Sequence, residues 1–174
     1  MKLFMGLGNP GMEYQHTRHN AGFLCIDALA KKHAITLGAK RSLEAQCGEG
    51  LINDQRVLLC KPQTFMNASG RTLQKILASY PITPKDVLVI YDDADLAFGD
   101  VRLKATGSSA GHRGMQALLD VLPPKTDLAR LRIGIGRPTN SDVPLDEFVL
   151  QKWTQEEEEK LPEILNRAID SFFP

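Results

Sequence analysis

The sequence predicts an α/β fold in which one twisted, mixed β-sheet carries helices on both faces. Three observations support this prediction. Apolar, strand-like runs alternate along the chain with stretches whose apolar residues recur at helical spacing. The chain has 174 residues, 43% of them hydrophobic and 24% charged, which is ordinary for a protein with one full core. No repeat, low-complexity tract or linker interrupts it, so residues 1–174 are expected to form a single domain.

The individual elements follow from local patterns. Strands are predicted over 2–8, 47–52, 55–61, 87–91, 102–105 and 131–135. Helices are predicted over 21–33, 69–80, 115–122 and 154–173. The run 87–91 is almost wholly apolar and is therefore expected to be a central strand. Thr154 and Glu157 have the spacing of a capping box, so they mark the start of the last helix. Its inward-facing residues are expected to be Leu161, Ile164, Leu165 and Ile169.

Composition limits the class of protein. The 21 basic and 21 acidic side chains balance, but bases prevail before residue 142 and acids after it. A basic body suits a polyanionic partner, and a solvated surface gives the same pattern. Cys25, Cys47 and Cys60 are odd in number and lack C-x-x-C spacing, which predicts buried reduced thiols. No signal peptide or membrane-length apolar run is predicted, so we expect a cytoplasmic protein without membrane contact.

A histidine stands where the first helix is predicted to begin. The turn Gly6-Leu7-Gly8-Asn9-Pro10-Gly11 precedes the segment Thr17-Arg18-His19-Asn20-Ala21-Gly22. Small and polar neighbours leave room for a pocket at His19, and a histidine held there can act as a base near neutral pH. The glycines also match the G-x-G-x-x-G dinucleotide pattern. Pro10 and the polar residues after it delay the helix that would have to meet a pyrophosphate, which disfavours a nicotinamide site.

Three acidic residues follow the predicted central strand, at the edge where open α/β sheets bind ligands. Asp92, Asp93 and Asp95 have three possible roles. Their oxygens could hold Mg²⁺, one of them could orient the imidazole of His19, or they could be a solvated loop. Because no second acidic cluster would complete a metal site, we favour the orienting role for one aspartate.

Two further segments carry polar chemistry. Residues 63–70 follow a strand and include Phe65, Met66 and Asn67, whose amide can bind a peptide or water. The alternative is that Phe65 and Met66 belong to the core. Cations concentrate around the glycine-rich loop 107–111, a pattern that suits phosphate contacts but also a solvated charged face. These cations are Arg102, Lys104, Arg113, Arg130, Arg132 and Arg137.

Taken in order, six blocks between residue 3 and about 150 resemble the bacterial peptidyl-tRNA hydrolase family. They are Gly6 to Gly11 with Tyr14; Thr17 to Gly22; Thr64-Phe65-Met66-Asn67 with Ser69-Gly70; Asp92-x-x-Asp95-Leu96; Gly111-His112-x-Gly114; and Arg130 to Pro138. The resemblance implies hydrolysis of the ester that joins a peptide to the terminal ribose of tRNA. It implies no metal, no cofactor, no obligate protein partner and a monomer.

The resemblance also implies roles for individual residues. His19 would activate water, and Asp92 would hold it in its basic form. Asn67 would position water and the peptide backbone, and Asn9 would help to distinguish a blocked from a free amino group. The positions that would contact tRNA are Tyr14 and Phe65 at its end and Lys104 and Arg132 at its phosphates.

The sequence departs from the usual family pattern at two positions. Arg113 stands where the family usually has asparagine, and Tyr91 stands where histidine is frequent. Two alternatives to the hydrolase are a non-catalytic RNA-binding relative with the same fold and a metal-dependent hydrolase using Asp92, Asp93 and Asp95. The intact His19, Asp92 and Asn67 argue against the non-catalytic relative, and activity that survives a chelator would exclude the metal-dependent hydrolase.

Overall fold

The computed structural model describes residues 1–172, and its strands form one seven-stranded sheet. The strands are β1 (Lys2–Gly6), β2 (Gly38–Lys40), β3 (Ala45–Ile52), β4 (Gln55–Pro62), β5 (Val87–Asp93), β6 (Val101–Lys104) and β7 (Ala129–Gly134). Their spatial order is β2-β3-β4-β1-β5-β7-β6. The four central strands β4, β1, β5 and β7 are parallel, whereas β2, β3 and β6 pair antiparallel with their neighbours. The sheet is therefore mixed, as predicted.

Helices cover both faces of this sheet. They are α1 (Ala21–Lys32), α2 (Ser69–Ser79), α3 (Arg113–Asp120), α4 (Leu145–Leu150) and α5 (Gln155–Asp170). Ile26 of α1 and Ile164 of α5 lie in one buried cluster, and Leu73 of α2 and Met115 of α3 lie in the other. The prediction of an α/β sheet with helices on both faces is confirmed. Within residues 1–172, no helix is long and apolar enough to cross a membrane.

The last helix begins as the capping-box spacing predicts. The Thr154 hydroxyl accepts a hydrogen bond from the Glu157 backbone, and the Glu157 carboxylate accepts one from the Thr154 backbone. The four residues predicted to face inward are buried. The helix ends at Asp170, earlier than predicted, and residue 173 of the prediction lies outside the described residues.

Apart from shifts of one or two residues at the ends of other elements, three details differ from the sequence prediction. Strand β5 continues to Asp93, so Asp92 and Asp93 are strand residues and do not follow the strand. Strand β2 and helix α4 were not predicted, because three and six residues are too few to show a period.

Candidate active site

The predicted site residues gather at the carboxyl edge of the parallel strands. The segment after β1 leads to His19, β4 is followed by Asn67, and β5 ends at Asp92 and Asp93. Parallel strands that neighbour one another end at the same edge, where open α/β sheets bind ligands. At this edge α1 approaches the sheet closely: a Cβ at Gly22 would lie 2.2 Å from the Ile90 carbonyl oxygen. Only glycine fits there, and it brings the start of α1 onto β5.

His19 is held against Asp92. It lies in a short 3-10 helix, residues 18–20, directly before α1. Its Nδ1 is 3.0 Å from both carboxylate oxygens of Asp92, and both side chains are buried. When Nδ1–H donates to Asp92, the ring has its lone pair on Nε2. The imidazole is thus arranged as a base whose tautomer is set by a carboxylate.

A second histidine, His112, contacts the same carboxylate. Its Nε2 lies 3.0 Å from Oδ1 of Asp92, and its ring centroid is 4.9 Å from that of His19. Its Nδ1 accepts a hydrogen bond from the Met115 backbone N–H at 3.1 Å, which caps helix α3. Nδ1 must therefore be unprotonated, so neutral His112 carries its proton on Nε2 and donates it to Asp92.

Sequence reasoning assigned no role to His112. It was noted only as part of the block Gly111-His112-x-Gly114, because a histidine is not among the usual N-cap residues and helix α3 was predicted to start later. Only the tertiary structure brings it to Asp92, twenty residues away in the chain.

The two histidines keep Asp92 ionised. Burial of the Asp92 carboxyl disfavours its charged form, but the charges and hydrogen bonds of His19 and His112 outweigh burial, and they hold its pKa well below its usual range. Asp92 is thus an anion near neutral pH and accepts a hydrogen bond from each imidazole.

The same three side chains have the composition of a metal site, since their ligand atoms lie within 4.8 Å of one another. A histidine that binds a metal normally donates its other N–H to an acceptor. His112 does the opposite, because its Nδ1 accepts from the Met115 backbone. The arrangement therefore suits hydrogen bonds to a carboxylate better than a metal ion. The alternative ligand set of Asp92, Asp93 and Asp95 does not converge: Arg132 pairs with Asp93 and Arg137 with Asp95.

Asn9 is fixed beside this group by hydrogen bonds on three sides. Its side-chain oxygen accepts from the Met66 backbone N–H at 2.8 Å. Its backbone N–H donates to Asn20 Oδ1, and its carbonyl accepts from Asn20 Nδ2. These bonds leave the Asn9 NH₂ group as a donor at the cavity wall. Asn20 is a second residue to which sequence reasoning gave no role.

His19, Asp92, Asn9 and Asn67 line one cavity of about 500 Å³. Asn67 is exposed, and its amide is free to meet a ligand. Apolar side chains form part of the rim: Phe65, 62% exposed, together with Leu145, Val149 and Leu150 of α4. Ligand sites commonly combine apolar lining with a few placed polar groups, and this cavity has both.

The residues predicted to contact tRNA are spread more widely. Phe65 lines the cavity, whereas Tyr14 is half-buried and does not. Lys104 is exposed on the edge strand β6, and Arg132 is partly buried with its Nε 2.9 Å from Asp93 Oδ2. Lys104 lies opposite Arg130 in the β6–β7 register.

The remaining cations of the cluster differ in exposure. Arg113 is exposed, 3.9 Å from Asp146 at the mouth of the cavity. Arg130 is 1% exposed, so neither a phosphate contact nor a solvated face describes it.

A comparison with known protein families shows to which family the chain belongs. Residues 3–172 match the family model described as peptidyl-tRNA hydrolase. The chain belongs to the peptidyl-tRNA hydrolase family. The resemblance stated from the six sequence blocks is thereby confirmed.

Individual members of the peptidyl-tRNA hydrolase family are similar over nearly the whole chain. The peptidyl-tRNA hydrolase of Herpetosiphon aurantiacus is 45% identical over 172 residues, which are 98% of this chain and 82% of the relative. That of Carboxydothermus hydrogenoformans is 46% identical over 171 residues, 98% of this chain and 89% of the relative. The crystal structure of peptidyl-tRNA hydrolase from Acinetobacter baumannii superposes with a TM-score of 0.86 at 37% identity, covering 98% of this chain and 83% of that one.

Proposed function

We propose that this protein hydrolyses the ester between a peptide and the terminal ribose of tRNA, and so recycles tRNA from prematurely released peptidyl-tRNA. The observation that carries the proposal is the His19–Asp92 pair, which sits with a free imidazole Nε2 in a cavity lined by Asn9 and Asn67. Membership of the family supports the same substrate. Hydrolysis of the ester between a peptide and tRNA requires an activated water molecule and a site that binds both the peptide and the tRNA.

His19 acts as the general base in the proposed reaction. Water gives a proton to Nε2 of His19, and its oxygen forms a bond to the ester carbonyl carbon. The bond between that carbon and the ribose oxygen then breaks, and the proton passes from Nε2 to the departing ribose oxygen. A positioned base of this kind contributes on the order of 10²- to 10⁴-fold in rate.

Asp92 stabilises the imidazolium that forms during the reaction. Its carboxylate is already ionised and already bonded to Nδ1 of His19, so little reorganisation is needed when positive charge appears. His112, which donates to the same carboxylate, keeps Asp92 from rotating. A serine or cysteine nucleophile is not required in this scheme.

The two asparagines bind the peptide half of the substrate. Asn67 positions the attacking water and the peptide backbone through its exposed amide. The Asn9 NH₂ group, aimed by the Met66 backbone, donates to the carbonyl of a blocked amino group. A free, charged amino group offers no such acceptor, which would explain selectivity for peptidyl over aminoacyl esters.

The tRNA half is bound through its end and its phosphates. Phe65 and Tyr14 contact the unpaired 3′ nucleotides by stacking, and Lys104 and Arg132 contact phosphates. Lys104 is fully available, whereas Arg132 shares its guanidinium with Asp93. Contacts to the backbone and to a shared 3′ end would let one enzyme accept many tRNAs.

We further propose that residues 1–174 work as one domain and as a cytoplasmic monomer without a metal or other cofactor. The hydrogen bond from Met115 to His112 supports metal-free chemistry. Size-exclusion chromatography with light scattering tests the oligomeric state, and a second species of twice the mass would contradict the monomer.

The decisive experiment measures release of the acyl group from N-acetyl-aminoacyl-tRNA in the presence of EDTA. The unacetylated ester and His19→Ala serve as controls. Rapid cleavage of the acetylated ester alone by wild type, with no cleavage but intact tRNA binding by His19→Ala, is the expected result. If wild type binds tRNA without cleaving either ester, the protein is a non-catalytic RNA-binding relative instead. Full activity of His19→Ala would contradict the mechanism.

A further inference from the structure

Arg130 is a buried cation without an acidic partner. Its side chain lies on β7 and is 1% exposed, and among residues 1–172 no carboxylate comes within 4.0 Å of it. An ionised group inside a protein is costly unless hydrogen bonds compensate it. Backbone carbonyls supply part of this compensation: Nε donates to Leu128 at 3.2 Å and Nη1 to Ser108 at 2.7 Å, while the buried Nη2 has no hydrogen-bond partner within residues 1–172.

The contact with Ser108 ties a glycine-rich loop to the sheet. The loop comprises residues 107–112, and its first residue, Gly107, packs over the guanidinium: a Cβ there would lie 3.6 Å from Nη1. Both Gly107 and Gly111 have positive φ, so the loop depends on glycine at these two positions. The hydrogen bond from the charged Arg130 to the Ser108 carbonyl is stronger than a neutral one. It therefore restrains the loop 107–112, whose glycines allow many backbone conformations.

The same loop carries His112 into the site. The His112 backbone N–H donates to the Ser109 carbonyl at 2.9 Å, and the Ser109 hydroxyl bonds Gln116 of α3 at 2.7 Å. Contacts thus run without a break from Arg130 through Ser108 and Ser109 to His112, and from there to Asp92. The Tyr91 ring packs on the His112 ring with centroids 4.7 Å apart. The Tyr91 hydroxyl also interacts electrostatically with Arg130.

We propose that Arg130 is a positioning residue for the hydrolysis: it fixes the loop 107–112 on β7 and thereby holds His112 against Asp92. The proposal rests on the proposed function for its kinetic readout. Arg130 acts from behind the site and does not touch the substrate. Its role therefore differs from that of the exposed Lys104, which lies opposite it on β6.

Kinetics of Arg130→Met and Arg130→Lys separate positioning from phosphate binding. Misplaced catalytic groups lower the rate of the chemical step, so Arg130→Met is expected to lower kcat on the order of 10- to 100-fold with KM nearly unchanged. Arg130→Lys, which keeps a cation able to reach one carbonyl, should recover part of the lost kcat. If instead KM rises, kcat is unchanged and the salt dependence of tRNA binding weakens, Arg130 binds a phosphate and the proposal is wrong.

Leu165→Ala is the control for effects of lowered stability on kcat. Leu165 is a buried residue of α5 on the opposite face of the sheet from Arg130. All variants are assayed at a temperature at which circular dichroism shows each of them folded. A comparable fall in kcat in Leu165→Ala would assign the effect of Arg130→Met to general destabilisation and overturn the proposal.

Amide hydrogen exchange tests the same idea without substrate. The His112 and Met115 amides, which donate to Ser109 and to the His112 ring, should exchange at least about tenfold faster in Arg130→Met and unchanged in Leu165→Ala. Unchanged protection of both amides in Arg130→Met would overturn the proposal even if activity fell. Because this readout needs no turnover, it tests the role of Arg130 even if wild type fails to cleave peptidyl-tRNA and the proposed function falls.

Discussion

His19 and His112 donate to one carboxylate, that of Asp92, with their ring centroids 4.9 Å apart. The two imidazoles are not equivalent. Within residues 1–172 the second nitrogen of His19 has no hydrogen-bond partner and lies at the cavity, whereas the second nitrogen of His112 accepts the Met115 backbone N–H. One histidine can therefore exchange protons with a substrate, and the other can only fix the carboxylate between them.

The double role of His112 predicts a separation of stability from activity. Loss of a helix cap costs about 1 kcal/mol, so His112→Ala should lower both the free energy of unfolding and kcat. Asparagine caps helices well but is too short to reach Asp92 as the imidazole does. His112→Asn keeps the cap but loses the bond to buried Asp92, so it should lose less free energy of unfolding in urea than His112→Ala and still lose kcat on the order of tenfold. Wild-type activity in His112→Asn would show that the bond to Asp92 is dispensable.

Asp92 predicts acid sensitivity of the fold. Its pKa is lower in the folded protein than in the unfolded chain, so between the two values the unfolded state binds more protons. The stability that Asp92 contributes is complete above its unfolded pKa of about 3.9 and is lost as the pH falls below about 4 towards the folded value. Urea titrations at several pH values should therefore show a flatter acid limb for Asp92→Asn than for wild type. Parallel curves for the two proteins would contradict this linkage.

Asn67 predicts a purely functional loss. Its side chain is exposed and lines the cavity, so Asn67→Ala should leave the free energy of unfolding in urea within about 0.5 kcal/mol of wild type. The kcat/KM for N-acetyl-aminoacyl-tRNA should fall on the order of 10- to 100-fold, because water and peptide lose a hydrogen-bonding partner. Asn166→Ala, an exposed amide on α5, is the matched control and should retain full activity. Equal losses in both variants would remove Asn67 from the site.

Lys104 predicts a salt-dependent loss of tRNA binding. Each phosphate contact contributes roughly 0.7 to 0.9 to the slope of log K against log salt. In the inactive His19→Ala background, Lys104→Gln should weaken tRNA binding and reduce this slope by about that amount. Lys85→Gln serves as the control, because Lys85 is exposed next to the amino end of β5, opposite the site. An unchanged slope in Lys104→Gln would exclude a phosphate contact.

Sequence patterns predicted the long elements well because burial imposes a period on them. The apolar run that became β5 and the capping box at Thr154 are examples. Short elements were not predicted: α4 has only six residues, too few to show a period, although it forms part of the cavity rim. The two last residues of β5 also escaped, because aspartate is rare in buried strands and is stable there only through its partners, the histidines at Asp92 and Arg132 at Asp93.

The sequence by itself determined the fold class and the family, because these follow from periodic burial and from motifs that are local in the chain, and the family resemblance implied that His19 meets Asp92. Only the tertiary structure decided which groups meet that pair. His112 reaches Asp92 because the loop 107–112 folds over β7, and Arg130 is buried because that loop covers it. The bonds that place these two side chains, from Arg130 to the Ser108 carbonyl and from the Met115 N–H to His112, use backbone carbonyls and amides, which look the same in every sequence.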